Sequence, residues 1–373
     1  MTHWIWQEPD WPHFTWDEAQ ISSPLAEARL NQGKILGLAQ SFSEESQAQI
    51  NAQILSEEMI TSSAIEGETL NRSSVRSSIA HRLGLENAAL TTPPDRYIES
   101  VLDMMLDATK NHNQPLNLER LEAWQASLFP TGFSGIRKIN VGKLRGEGEM
   151  QIISGKPDRP NIHYVAPPNT SLQKEITQFV KWFNDKDPAL NGLVRTAISH
   201  LWFEILHPFD DGNGRVGRAI IDMSLAQDEN LSIRFYSLST EIMAKRKSYY
   251  EILQKTTSGK MDITQWLIWF LNCYSNAINR SLSIIDNVRL KNKYWQAHVK
   301  AQLNERQQKA LNKMLDKGPD GYEGGMTTRK YMGINKVSRA TAYRELADLV
   351  EKKCLELAGA KGRSTAYQIK WPD

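Results

Sequence analysis

Within twelve residues, His207-Pro-Phe-Asp-Asp-Gly-Asn-Gly-Arg-Val-Gly-Arg218 gathers an imidazole, two carboxylates, a glycine turn and two guanidiniums. Pro208 has no N–H with which to continue the apolar helical pattern that runs to Leu206, and Gly212 and Gly214 free the backbone for a tight turn. The helical pattern resumes near Arg215. A glycine turn feeding a helix N-terminus presents unpaired N–H groups and the positive end of the helix dipole, which suits a phosphate. Arg215 and Arg218, three apart, fall on one side of that helix and add bidentate cationic contacts. Asp211 at the lip can hold Mg2+, which favours one or two carboxylates plus phosphate oxygens. His207, just before the turn, is placed to take a proton from a nucleophile. An EF-hand reading fails, because the acidic residues are not at alternate positions and no Glu closes the loop.

The string resembles the Fic family signature, H-P-F-x-[DE]-G-N-G-R-x-x-R, with every specified position matched. The resemblance implies a protein adenylyltransferase that moves AMP from ATP to a Ser, Thr or Tyr hydroxyl of a protein, itself included. In that reading His207 is the base and Asp211 binds Mg2+. Gly212, Asn213 and Gly214 hold the α- and β-phosphates, Arg215 meets the β-phosphate and Arg218 the γ-phosphate. Val216 and Gly217 are counted with the nucleotide site, and Phe209 is a core anchor. Ile152, Ile153, Ser154 and Gly155 resemble the family's flap, which registers a target segment by main-chain pairing; an ordinary surface hairpin gives the same pattern. Tyr249 and Tyr250 match an aromatic pair that borders adenine in relatives, and read equally well as core residues. Ser62-Ser-Ala-Ile-Glu-Gly67 resembles the inhibitory motif [ST]-x-x-x-E-[GN], which implies that Glu66 pairs with Arg218 in competition with a γ-phosphate.

These residues need a helical scaffold. Apolar residues from Ser43 to Ile65 recur as Ile50, Ile54, Leu55, Met59 and Ile60, a helix-like stripe that Gly67 stops. Helical periodicity returns at Tyr97–Asp107, Asn117–Leu128, Leu172–Phe183, Leu193–Leu206 and Ile263–Ile284. Lys143 to Pro168 reads instead as a hairpin. Residues 4–16 carry four tryptophans and two prolines without periodicity; they read as an extended packed arm, a staple in preference to a base-stacking surface. The expected fold is mainly α: a Fic-type helical bundle with a β-hairpin flap and a small C-terminal winged-helix domain. Expected domains are 1–110, the aromatic arm and inhibitory-helix region; 111–290, the catalytic domain; and 300–373, the winged helix.

Composition bounds the rest. At 373 residues, with 40% hydrophobic and 24% charged, the chain belongs with folded proteins of two or three units. Cys273 and Cys354 have no disulfide-framework or zinc spacing. The first residues have no export signal and no apolar run approaches the ~20 residues of a membrane span, so a cytoplasmic protein without a membrane is expected. The net charge is +2, yet residues 305–373 hold 14 Lys/Arg against 9 Asp/Glu. That basic segment reads as three helices and two short strands around Gly359–Arg363. Ser338-Arg-Ala-Thr-Ala-Tyr-Arg344 has the N-cap and side chains of a recognition helix, and Lys361 and Arg363 fall on a wing. DNA and protein contacts, homodimerisation included, are both open to it. Two further readings of the whole chain stay open: a DNA-binding regulator whose body senses nucleotide, and an enzyme that removes AMP.

Overall fold

A computed structural model describes residues 3–85, 95–156, 159–315, 317–318, 322–358 and 365–372. The chain divides into two compact units, Met1–Asn279 and Arg280–Asp373.

The first unit is mainly helical. Its helices are α1 (Glu18–Gln40), α2 (Glu44–Ile65), α3 (Arg72–Arg82), α4 (Arg96–Lys110), α5 (Leu118–Ser127), α6 (Asn169–Asn184), α7 (Gly192–Leu206), α8 (Asn213–Glu229), α9 (Leu238–Ala244), α10 (Arg246–Thr257) and the start of α11 (Thr264–Ala297). Polar caps fix the starts: Asp17, Ser43, Asn71, Asp95 and Asn117 each accept a backbone N–H of the turn they open, which satisfies donors the helix cannot. α7 is apolar around most of its circumference and is buried from Leu193 to Phe203, as a central helix must be. α8 packs beside it, with Val216, Ile220, Met223 and Leu225 fully or nearly fully buried.

Polar ties complete this core. Arg234, 4% exposed, donates to Glu229 at 2.5 Å and to the Tyr236 hydroxyl at 3.2 Å, and also reaches the carbonyl of Asp222. Arg234→Met leaves the buried Glu229 carboxylate without its cation, and is expected to cost about 3–5 kcal/mol in chemical denaturation.

Among the described residues of this unit, one short pair and one longer hairpin supply the strands: β1 (Phe133–Ser134) with β2 (Arg137–Lys138), and β3 (Gln151–Lys156) with β4 (Arg159–Val165), both antiparallel. The β3–β4 register shifts between Ile152 and Ile153. The aromatic arm is a staple. Trp4 meets Tyr164 edge to face at 5.3 Å, Trp6 Nε1 donates to the Val165 carbonyl at 2.8 Å, and Trp11 meets Trp202 of α7 at 5.9 Å. Thr15 exchanges backbone bonds with Met261 and Ile263.

The second unit holds α12 (Glu305–Leu315), α13 (Thr328–Asn335), α14 (Arg339–Glu351) and an antiparallel sheet of β5 (Met326–Thr327), β6 (Leu355–Leu357) and β7 (Ala366–Ile369) in the order β5-β7-β6. Leu311, Leu315, Tyr331, Leu346 and Leu349 form its centre. Glu345, 5% exposed, ties α12 to α13 by accepting from Arg306 at 3.1 Å and the Tyr331 hydroxyl at 2.8 Å. On α14, Ser338 caps the N-terminus and Arg339, Tyr343 and Arg344 are exposed. Lys361 and Arg363 lie outside the described residues. No helix among the described residues is long and apolar enough to cross a membrane.

Candidate active site

The α7–α8 turn builds the site. His207 ends α7 in the left-handed region (φ 44°), its N–H on the Phe203 carbonyl at 3.0 Å. Arg145 fixes that turn: its Nε donates to the His207 carbonyl at 3.0 Å and its backbone N–H to the Pro208 carbonyl at 2.8 Å. Burial first, and then the positive charge of Arg145, hold the His207 imidazole down to about 4. At neutral pH it is uncharged and free to accept a proton. Its Nδ1 is buried without a hydrogen-bond partner.

Gly212 (φ 88°) opens α8, and a Cβ there would meet the Phe129 ring at 2.9 Å and Leu128 at 3.0 Å. Strained backbone and clash act together, so Gly212→Ala is expected to lower stability by about 2–4 kcal/mol, read as a drop in melting temperature. Asn213 turns its side chain inward. It exchanges two hydrogen bonds with the Phe209 backbone at 2.8 and 2.9 Å and is 2% exposed. It braces the loop. Asp211 accepts from the Gly212 N–H at 2.6 Å and from the Ser134 hydroxyl.

Arg215 and Arg218 share a face of α8, as their spacing predicts, and each already holds an anion. Arg218, 3% exposed, donates from Nη2 to Glu66 Oε1 at 2.8 Å, from Nε to the Ser62 hydroxyl at 2.8 Å and from Nη2 to the Ser62 carbonyl at 2.9 Å. The Glu66 carboxylate lies over Gly214: a Cβ on Gly214 would be 2.1 Å from Glu66 Oε1. Arg215 meets Glu68 and Tyr97, each at 2.8 Å, and stacks on Phe129 at 5.1 Å.

The end of α2 aims Glu66 there. Gly67 (φ 84°) gives the Ala64 carbonyl its N–H, and Glu68 gives its N–H to Ser63, the paired closure that ends many helices. Deeper in α2, the Glu58 carboxylate accepts from the Ser237 hydroxyl at 2.7 Å and the Ser239 N–H at 3.1 Å at the start of α9, so the helix is held from both sides.

Three residues expected at the nucleotide are closely packed. Val216 is fully buried, and a Cβ on Gly217 would strike Glu204 at 2.7 Å and His200 at 3.1 Å. Gly217 thus packs closely against α7, and the Val216 side chain belongs to the core. Tyr249 is 3% exposed with its hydroxyl bonded to His200 Nε2 at 2.8 Å, a core position. Tyr250 is 43% exposed, 3.5 Å from the Ile65 carbonyl, and keeps a ring at the surface. In the hairpin, Ile152 and Ile153 are 38% and 54% exposed. β3 pairs with β4 alone among the described residues, leaving its outer edge open along Ser154 and Gly155. Tyr164 ties the hairpin to α7 through the Ile205 carbonyl at 2.7 Å, two residues before His207.

Glu204 was not singled out by sequence. Its Oε1 is sealed in without a partner, and burial, then the charge of Glu66, push its carboxyl up to about 8. An unfolded glutamate ionises near 4.5, so between there and about 8 the unfolded chain binds fewer protons and stability falls as pH rises. Glu204→Gln removes that fall. Its melting-temperature advantage over the unsubstituted protein is expected to widen from about pH 5 to about pH 8 and then level off.

Residues 115–225 match the Fic/DOC family and residues 4–85 match a domain of unknown function, DUF4172. A probable protein adenylyltransferase of Aquifex aeolicus (strain VF5) is 27% identical over 40% of this chain and 49% of its own length. The protein adenylyltransferase Fic of Nematostella vectensis is 31% identical over 32% of this chain and 26% of its own. The Fic protein adenylyltransferase of Drosophila ananassae is 23% identical over 69% and 52%. The chain thus spans about half or less of these relatives. The crystal structure of a Fic family protein from Desulfovibrio desulfuricans G20 aligns over 96% of this chain and 98% of that chain with a TM-score of 0.55 at 19% identity. The fold is therefore that of a Fic protein, and the chain carries a Fic/DOC family domain with adenylyltransferase relatives at low identity.

Proposed function

We propose that this chain is a protein adenylyltransferase that moves AMP from ATP to a Ser, Thr or Tyr hydroxyl of a protein, itself included, and that Glu66 restrains it in cis. One observation carries the reading: beside an uncharged His207, the two guanidiniums that would grip a triphosphate are each filled by a carboxylate. A cradle that selects two anions in place suits two phosphates. The target hydroxyl attacks the α-phosphorus in line as its proton passes to the His207 imidazole, and the bond to pyrophosphate breaks. The N–H groups at the start of α8 and the two arginines hold the phosphates and take up the charge that develops.

Asp211 suits Mg2+. It is a half-buried carboxylate at the lip of the cradle, and Mg2+ asks for one or two such groups with phosphate and water completing its shell. Bound there, Mg2+ would neutralise phosphate charge. Tyr250 is the better placed of the tyrosine pair to border adenine, and the open edge of β3 is the surface for an extended target segment.

The test uses Glu66→Gly with ATP labelled at either the α- or the γ-phosphate. Protein-bound label from the α position alone is expected. Label from the γ position would make the protein a kinase, and release of AMP from a pre-modified target without forward labelling would make it a hydrolase.

A further inference from the structure

Arg215 is held as firmly as Arg218, by residues outside any motif. Its Nη1 donates to Glu68 Oε2 and to the Tyr97 hydroxyl, both at 2.8 Å, and the same Tyr97 hydroxyl donates to Glu68 Oε2 at 2.6 Å. The Arg215 side chain is 7% exposed and that of Glu68 39%. Glu66 and Glu68 flank Gly67, and the closure at the end of α2 sends one carboxylate to each arginine.

We propose that Glu68 and Tyr97 form a second, separate anion gate: the Glu68 carboxylate occupies the place of a nucleotide phosphate on Arg215, and Tyr97 is a phosphate-binding residue. The inference rests on the nucleotide site proposed above. Arg215 is hemmed in elsewhere, because a flat face lies on Phe129, its Nε is sealed in without a partner, and its Nη1 is taken by Glu68 and Tyr97. A phosphate that meets Nη1 comes to the edge where Glu68 now sits. Carboxylate and phosphate oxygens compete there for the same donors. Tyr97 accepts from Arg215, so its own proton is directed at the anion opposite. When a phosphate oxygen replaces the carboxylate, that proton has the same kind of partner. Glu68 remains accessible to solvent, which makes it displaceable. Each gate has its own arginine, so release of Glu66 leaves Glu68 in place.

The experiment measures binding of ATP and of inorganic triphosphate by titration calorimetry at fixed salt, to the full chain and to Glu66→Gln, Glu68→Gln, the double variant, and Glu68→Gln with Tyr97→Phe. Melting temperatures confirm that each variant is folded. Glu68→Gln is expected to tighten ATP about fivefold to tenfold, and the double variant to show the product of the two single effects within about twofold. Adding Tyr97→Phe to Glu68→Gln is expected to loosen ATP about threefold to fivefold, since only the phosphate contact is then at stake. If Glu66→Gln tightens ATP and Glu68→Gln does not, Glu68 is a strap on α8 and the second gate falls while the site stands. If Tyr97→Phe is neutral in the Glu68→Gln background, Tyr97 is no phosphate ligand and that half of the inference is overturned. If no variant binds ATP or triphosphate, the nucleotide site itself is wrong, and the gate with it.

Discussion

Replacing His207 with alanine, in the Glu66→Gly background where turnover is easiest to read, is expected to lower α-label incorporation about 10²- to 10⁴-fold while ATP affinity stays within about twofold. The asymmetry follows from where His207 sits. In the proposed site the phosphate donors are the α8 N–H groups, Arg215 and Arg218, none of which depends on the imidazole. The left-handed backbone at His207 (φ 44°) complicates alanine, which pays about 1–2 kcal/mol there. His207→Asn is the control, because asparagine tolerates that conformation and carries no base. Both variants should lose labelling alike. A variant that loses ATP binding in proportion to labelling would show His207 to be a binding residue.

Glu66→Gly is expected to raise labelling about tenfold to a hundredfold, the size of one charge-assisted hydrogen bond to a buried guanidinium withdrawn from competition. The same substitution leaves Arg218, 3% exposed, without its carboxylate. The apo protein should therefore melt at a lower temperature than the unsubstituted one, and ATP should recover more of that loss than it adds to the unsubstituted protein. Activity and stability are expected to move in opposite directions because the proposed restraint is also an internal ion pair. Labelling that stays flat while the melting temperature falls would leave Glu66 a purely structural partner of Arg218.

How much of this was legible beforehand depended on whether the signal was local. Proline, glycine and arginine spacing placed the α7–α8 turn, and α2 ends just before Gly67, whose left-handed backbone closes it. The periodic helices appear within a few residues of their expected ends, although α11 runs on to Ala297 where the apolar pattern stopped at Ile284. α1 gave no signal: its buried face includes Asn31 and Gln32, which bond Ser275 and Asp228 from distant segments, and Pro24 lies within it. Glu68, Tyr97, Arg145 and Glu204 were invisible for a related reason. Each is an ordinary polar residue in its own segment, and acquires a role only when tertiary packing brings a residue tens of positions away. Tyr249 went to the core because His200 offers its hydroxyl a buried partner.

α2 is also a lever. Twenty-two residues long, it measures about 33 Å, and Glu58 pins it to α9 about 12 Å from the Glu66 end. A tilt of about 10° about that fulcrum swings the tip by about 2 Å, enough to part bonds of 2.8 Å to both arginines at once. The longer arm runs the other way, toward Ser43. A push delivered there would work at a mechanical advantage close to two, and it would act far from the proposed nucleotide site.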